Sequence, residues 1–174
     1  AISLPCVLKI NDAGSSVGVY LCTTRADFEA ACHSAAELLA DKETSGVLFE
    51  EYVQGPEYSV GFFDDTFLGA IRIDPGEEFY DYKAKYQSTD TRYTFVEDPD
   101  LMSRLEILGR ATYDALGCRG VARVDVIGEH DDLKVLEVNT IPGMTATSLI
   151  PKMADQRGVS FEKFTELMIS AARL

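Results

Sequence analysis

The stretch GVARVDVIGEHDDLKVLEVN, residues 120–139, decides the fold. Polar and apolar residues alternate over 122–126 and again over 136–139, and a period of two marks a strand with one covered face. The two segments predict a hairpin. Arg123 and Asp125 fall on one face of the first strand, and Glu137 and Asn139 share a face of the second. Between them stand Ala122, Val124, Val126, Leu136 and Val138, which predict the buried side of the ribbon. Two partly buried carboxylates one strand apart repel each other and need a cation, a proton or an arginine. A divalent ion held by two carboxylates and an amide oxygen, completed by water and phosphate oxygens, satisfies this and suits Mg²⁺. A solvated sheet face neutralised by Arg123 alone satisfies it equally, and spacing leaves both readings open.

Working outward, the turn Thr140-Ile141-Pro142-Gly143-Met144-Thr145 leads to a helix starting near Ser148. The Gly143 amide can donate to a developing oxyanion and the helix start favours a carboxylate; a plain strand-to-helix connection reads the same. A further helix begins near Ser160. Upstream, Asp98 with Pro99 predicts a capped helix with Leu101, Leu105, Leu108, Thr112 and Ala115 on one face and Gly117 as its stop. Strand patterns at 47–53, 57–63 and 66–73 predict an antiparallel meander through the turns Gln54-Gly55-Pro56 and Asp64-Asp65. The segment 74–91 between them and the capped helix is long enough to predict a functional loop. Its core, FYDYKAKY at 79–86, carries four aromatics around Lys83 and Lys85, which fits a basic lid or a loop packing on its own rings.

At the start of the chain, strands at 6–10 and 19–22 predict a hairpin whose wide tip, Asn11 to Gly18, follows Lys9. Small residues let backbone amides approach an anion beside a lysine, so this is a phosphate cradle or an ordinary turn-rich loop. Thr24 and Asp27 then form a variant capping box for a helix ending near Asp41. Its apolar face is Phe28, Ala31, Cys32, Ala35, Leu38 and Leu39.

Composition narrows the function. The chain has 174 residues, a size that fits one domain or two small lobes, and 46% hydrophobic with 26% charged residues indicates a globular core. Sixteen Lys and Arg against 29 Asp and Glu give −13, which repels nucleic acid and anionic lipid. No uncharged apolar run approaches the about 20 residues of a membrane span, and the first residues lack the pattern of a secretory signal, so a soluble cytoplasmic protein is expected. Cys6, Cys22, Cys32 and Cys118 form no CxxC and read as reduced core thiols. With only His33 and His130, a multi-histidine metal centre or a Ser-His-Asp hydrolase has little to build with. Without an initiator Met, and with a strand within a few residues of Ala1, the chain reads as a fragment of a longer one.

The motifs in this order, from LPCVLKINDAGSSVGV through EEYVQGPEYSV, FYDYKAKY and LGCRGVARVDVI to LEVNTIPGMTATSLIP, resemble the ATP-grasp module of D-alanine:D-alanine ligases. The resemblance implies an α+β fold in which two antiparallel-sheet lobes flanked by helices bind the nucleotide between them. It assigns residues 1–50 to the remainder of the central lobe and 51–174 to the C-terminal lobe with lid and metal site, the family's N-terminal domain being absent. By implication Lys9 and Lys85 bind ATP phosphates under the Ser15-Ser16 loop, Glu50, Glu51 and Val53 lie on the adenine strand, and Glu57 meets the ribose. Asp125, Glu137 and Asn139 match the ligands of two Mg²⁺ (or Mn²⁺) ions. Arg123 and the Gly143 amide match the oxyanion donors, Ser148 and the Leu149 amide hold the second D-alanine carboxylate, and Tyr86 is the lid tyrosine.

The implied reaction joins two D-alanines through an acyl phosphate, for peptidoglycan precursors, in a parent enzyme expected to be a homodimer with no nucleic-acid or membrane partner. The fragment alone is expected to be inactive. A D-lactate or D-serine ligase and a noncatalytic ATP-grasp module are the alternatives, and the Lys85-Tyr86 lid favours D-alanine.

Overall fold

The computed structural model describes residues 3–11, 17–40, 46–74 and 91–172, which fall into two units. Alternation builds the first, within residues 3–53: Cys6, Leu8 and Ile10 of β1 (Cys6–Ile10) are buried while Val7 and Lys9 between them are half-buried. Strand β1 is the centre of a three-stranded antiparallel sheet, flanked by β2 (Val19–Cys22) and β3 (Val47–Glu51). Helix α1 (Arg25–Leu39) lays Ala31 and Ala35 on Cys6, Leu8 and Cys22, with Tyr20, Phe28 and Cys32 around them. Leu38, expected on that face, is exposed.

The expected capping box is present. Thr24 Oγ1 accepts from the Asp27 amide at 3.2 Å, and the Asp27 carboxylate accepts from the Thr24 amide at 2.8 Å. Hydrogen bonds from the Thr23 hydroxyl and then the Thr24 amide hold the Asp27 carboxyl below its usual range. All four cysteines are free thiols, and burial next to Cys6 pushes the Cys22 thiol up to about 11.

The second unit, residues 54–74 and 91–172, is a five-stranded antiparallel sheet in the order β6-β5-β4-β7-β8. Its strands are β4 (Glu57–Phe63), β5 (Thr66–Asp74), β6 (Arg92–Phe95), β7 (Val121–Ile127) and β8 (Lys134–Asn139). One face carries Tyr58, Val60, Phe62, Ala122, Val124 and Val126 under helix α2 (Pro99–Ala115). The other carries Leu68 and Ile71 under α3 (Leu149–Gln156) and α4 (Phe161–Ala171), which supply Ile150, Met153, Ala154 and Phe164. Gly61 brings α3 close: a Cβ there would stand 2.5 Å from Met153 Sδ and 2.9 Å from Ile150 Cδ1. Among the described residues no helix is long and apolar enough to cross a membrane.

Four details differ from the sequence expectations. Strand β3 does not join β4 and β5 in a meander but pairs with β1, and the Tyr52 amide extends that pairing to the Pro5 carbonyl at 3.4 Å. The chain leaves this sheet through Gly55, at φ 146°, where a side chain would meet the Gly128 backbone at 2.7 Å; Pro56 then accepts from the Gly128 amide. The turn that reads locally as a hairpin therefore changes sheets.

In α2 the buried stripe is Leu101, Leu105, Gly109 and Tyr113, while Ala115 is exposed and Leu108 and Thr112 are half-buried. Gly109 belongs to the stripe because Phe62 fills the place of its missing Cβ, 2.7 Å away. In β8 a bulge next to Asp125 skips Leu136, which is 38% exposed, so that Val135 and Val138 pack on the core instead. Finally, β6, directly after the segment 74–91 expected to be loop, is an edge strand absent from the sequence expectations. The cap of α2, in which Asp98 accepts from the Asp100 and Leu101 amides, is as expected, as are the starts of α3 after Ser148 and α4 after Ser160.

Candidate functional site

Strand pairing in the second unit brings the polar row together. Asp125 stands directly opposite Glu137 and Arg123 directly opposite Asn139, a register the Leu136 bulge makes possible. On the other side of β7, Arg123 faces Gly61 and Asp125 faces Ser59 of β4. Directly opposed residues share a face, so the row lies on the same face as Gly61, the one that α3 covers at Met153.

Arg123 and Asp125 form a fork. Arg123 Nε donates to Asp125 Oδ1 at 2.8 Å and Oδ2 at 3.1 Å, and Nη2 donates to Oδ2 at 2.7 Å. Both side chains are about four-fifths covered, at 22% and 18% exposure. Burial works against the Arg123 charge, but the hydrogen bonds it donates to Asp125 and the fields of Asp125, Glu137 and Tyr93 outweigh it. The guanidinium pKa therefore lies above its ordinary value. Ser59, the one polar residue in the buried core of the described chain, donates its hydroxyl to Asp125 Oδ1 at 2.7 Å. The sequence reading missed it.

The donor set is hard oxygen only: two carboxylates in register and the Asn139 amide, whose Oδ1 accepts from the Ile141 amide at 3.0 Å and keeps a second lone pair. Among the described residues no three His, Cys, Asp or Glu side chains cluster as a metal site by themselves. Two carboxylates, an amide and outside oxygens suit Mg²⁺ or Mn²⁺, and such a set fits these ions better than softer metals.

Beyond β8, Ser148 has extended backbone at the start of α3, yet its hydroxyl does not cap the helix. It turns back instead to accept from the Thr145 amide at 3.1 Å and lies 2.9 Å from Thr145 Oγ1. The side chains at the starts of α1, α2 and α4 do cap, whereas among the described residues the first turn of α3 receives no side-chain cap from Ser148. Gly143 packs against this turn, and a Cβ there would stand 3.1 Å from Ser148 Oγ. Glu57 begins β4 on the face of Ser59, opposite Ile127.

In the first unit Lys9 is paired with Glu50, Nζ to Oε2 at 2.7 Å, from adjacent strands. Lys9 is the better covered, at 22% against 40%. Glu51 is exposed opposite Cys6, and Val53 follows the end of β3, half-buried. Ser15, Ser16, Lys85 and Tyr86, with the rest of the segment 79–86, lie outside the described residues.

Residues 1–170 match the family model described as D-ala D-ala ligase C-terminus. A D-alanine–D-alanine ligase of Anaeromyxobacter sp. (strain Fw109-5) is 43% identical over 174 residues, 98% of this chain and 55% of the relative. The crystal structure of the Bacillus anthracis D-alanine–D-alanine ligase complexed with ATP superposes with TM-score 0.79 at 35% identity, covering 97% of this chain and 53% of that one. The D-Ala:D-Ser ligase VanG from Enterococcus faecalis gives TM-score 0.79 at 29% identity, covering 97% and 50%. The chain spans about half the length of the curated relatives it matches.

Proposed function

The chain belongs to the D-ala D-ala ligase family, whose C-terminal region it matches, and on that premise we propose that it carries the phosphoryl-transfer and acyl-transfer half of an ATP-dependent D-alanine:D-alanine ligase. The observation that supports this most is the in-register opposition of Asp125 and Glu137, with Arg123 and Asn139 as the next pair along the same face. An acidic pair of this kind repels a nucleotide unless a divalent ion lies between, and two Mg²⁺ or Mn²⁺ ions held by Asp125, Glu137 and Asn139 would neutralise the charge of the phosphates.

The residues divide the work by charge. Lys9, released from Glu50, supplies a cation to the ATP phosphates, with Ser15, Ser16 and Lys85 as its proposed partners; Glu50, Glu51 and Val53 hold the adenine and Glu57 the ribose. A carboxylate oxygen of the first D-alanine attacks the γ-phosphorus, ADP departs, and an acyl phosphate results. The amine of the second D-alanine then adds to the acyl carbon, and phosphate leaves from the tetrahedral intermediate. Its oxyanion takes hydrogen bonds from Arg123 and the Gly143 amide, each donor worth about 3 to 4 kcal/mol. The fork to Asp125 uses Nε and Nη2 of Arg123 and not Nη1, so the guanidinium can serve both partners. The Ser148 hydroxyl and the Leu149 amide receive the carboxylate of the second D-alanine, and Tyr86 is the proposed lid tyrosine. The product is a peptidoglycan precursor made in the cytoplasm, and the working enzyme is a homodimer.

Phosphate release from ATP by the complete gene product tests this reading. Release is expected only with D-alanine and Mg²⁺ together, and D-alanine is expected to outcompete D-lactate and D-serine as acceptor. Release with L-amino acids but not D-alanine, or with no metal requirement, rejects it.

A further inference from the structure

Ser59 is 1% exposed on β4, the central strand, and its hydroxyl reaches across to Asp125, 66 residues away in sequence. An ionised carboxylate offers about four lone-pair directions, two on each oxygen. In this structure Oδ1 accepts twice, from Ser59 at 2.7 Å and from Arg123 Nε at 2.8 Å. Among the described residues, Oδ2 has one short bond, from Arg123 Nη2 at 2.7 Å, and beside it the long arm of the shared Nε hydrogen at 3.1 Å. One direction on Oδ2 is therefore lightly used. Without the Ser59 hydroxyl the carboxylate is free to turn about its Cβ–Cγ bond and settle symmetrically on the arginine, which blunts both oxygens toward any other cation.

We propose that Ser59 is a positioning residue for the metal site: by occupying Asp125 Oδ1 it fixes the carboxylate plane and leaves Oδ2 as a single, preset ligand oxygen. This rests on the reading of Asp125 as a metal ligand. Partners that orient a ligating carboxylate typically change metal affinity by about 10- to 100-fold when removed. Burial places Ser59 out of reach of substrate, so it acts through Asp125 alone.

The test is Mn²⁺ binding to the complete gene product, read from the loss of the free-ion paramagnetic resonance signal. Wild type is compared with Ser59→Ala, Ser59→Thr and Asp125→Asn. Ser59→Ala is expected to bind about tenfold more weakly, within the range such partners show, and to raise the Mg²⁺ needed for half-maximal turnover by the same factor. Its kcat at saturating Mg²⁺ and its metal-free melting midpoint should stay close to wild type. Ser59→Thr, which restores the hydroxyl, should regain the affinity.

Unchanged Mn²⁺ affinity in Ser59→Ala, with weakened affinity in Asp125→Asn, overturns the role of Ser59 and leaves the metal site standing. Unchanged affinity in both variants overturns the metal site and this inference with it. Should Ser59→Ala lose its cooperative unfolding transition, Ser59→Cys, close in volume but a weak donor, is held to the same expectation and overturned by the same result.

Discussion

Replacing Asp125 with asparagine is expected to lower the Mg²⁺-dependent turnover of the complete gene product by about a thousandfold or more, the scale on which a main electrostatic contact to a transition state acts. The substitution is nearly isosteric, so the loss comes from charge. An amide keeps one oxygen for Ser59, but it places an N–H₂ group against the Arg123 guanidinium in place of the second carboxylate oxygen. Breaking a fully buried ion pair costs about 3 to 5 kcal/mol. Here the pair is about a fifth exposed and Glu137 stands opposite, so solvent and that second carboxylate reduce the cost to about 1 to 2 kcal/mol. Turnover measured across Mg²⁺ concentrations, beside a melting curve, separates the two effects. Turnover within threefold of wild type at limiting Mg²⁺ would remove Asp125 from the metal site.

The second large effect lies on the opposite face of the same sheet. Phe62→Ala is expected to destabilise the second unit by about 3 to 5 kcal/mol, the usual range for a buried phenyl ring. Phe62 is fully buried, with its ring 5.6 Å from those of both Phe67 and Tyr113. It also carries the Arg110 guanidinium 4.6 Å from its centroid. Arg110 donates through Nη1 to the Asp64 carbonyl at 3.0 Å, but its buried Nη2 has no hydrogen-bond partner among the described residues, and the faces of Phe62 and Tyr113 are what that edge rests on. Alanine thus opens a cavity and removes one of the two rings beneath the guanidinium. Leucine at this position keeps most of the volume and loses only the π face, so Phe62→Leu should cost well under half as much. Urea unfolding followed by circular dichroism measures both variants, and a loss below about 1 kcal/mol in Phe62→Ala would contradict the packing described, since buried aromatic truncations cost several times that.

The fold was legible where a short-range pattern was enough. Alternation over β7 and β8 placed Arg123, Asp125, Glu137 and Asn139 on one face, and the structure pairs them in register. Thr24 with Asp27, and Asp98 with Pro99, announced two helix starts because capping is decided within four residues. The failures share a cause, which is that each turns on a partner distant in sequence. Gln54-Gly55-Pro56 looks like a hairpin turn until Gly128 is seen against Gly55. Gly109 looks like a gap in a helical stripe until Phe62 is found filling it. Leu136 carries the right residue type for the buried face and is expelled by a bulge that only the pairing with β7 defines. Ser59 was invisible for the same reason: nothing in GPEYSV distinguishes a surface serine from one buried between β5 and β7.

On the proposed function, Asp125 and Glu137 hold a divalent ion against the phosphates of a nucleotide. The most direct measurement is a crystal structure of the complete gene product with Mg²⁺ and a non-hydrolysable ATP analogue. An ion is expected at about 2.1 Å, the usual Mg²⁺ distance, from oxygens of both carboxylates and shared with a phosphate oxygen. An ion held by the phosphates alone, with Asp125 still forked to Arg123 and Glu137 turned to bulk water, would contradict it.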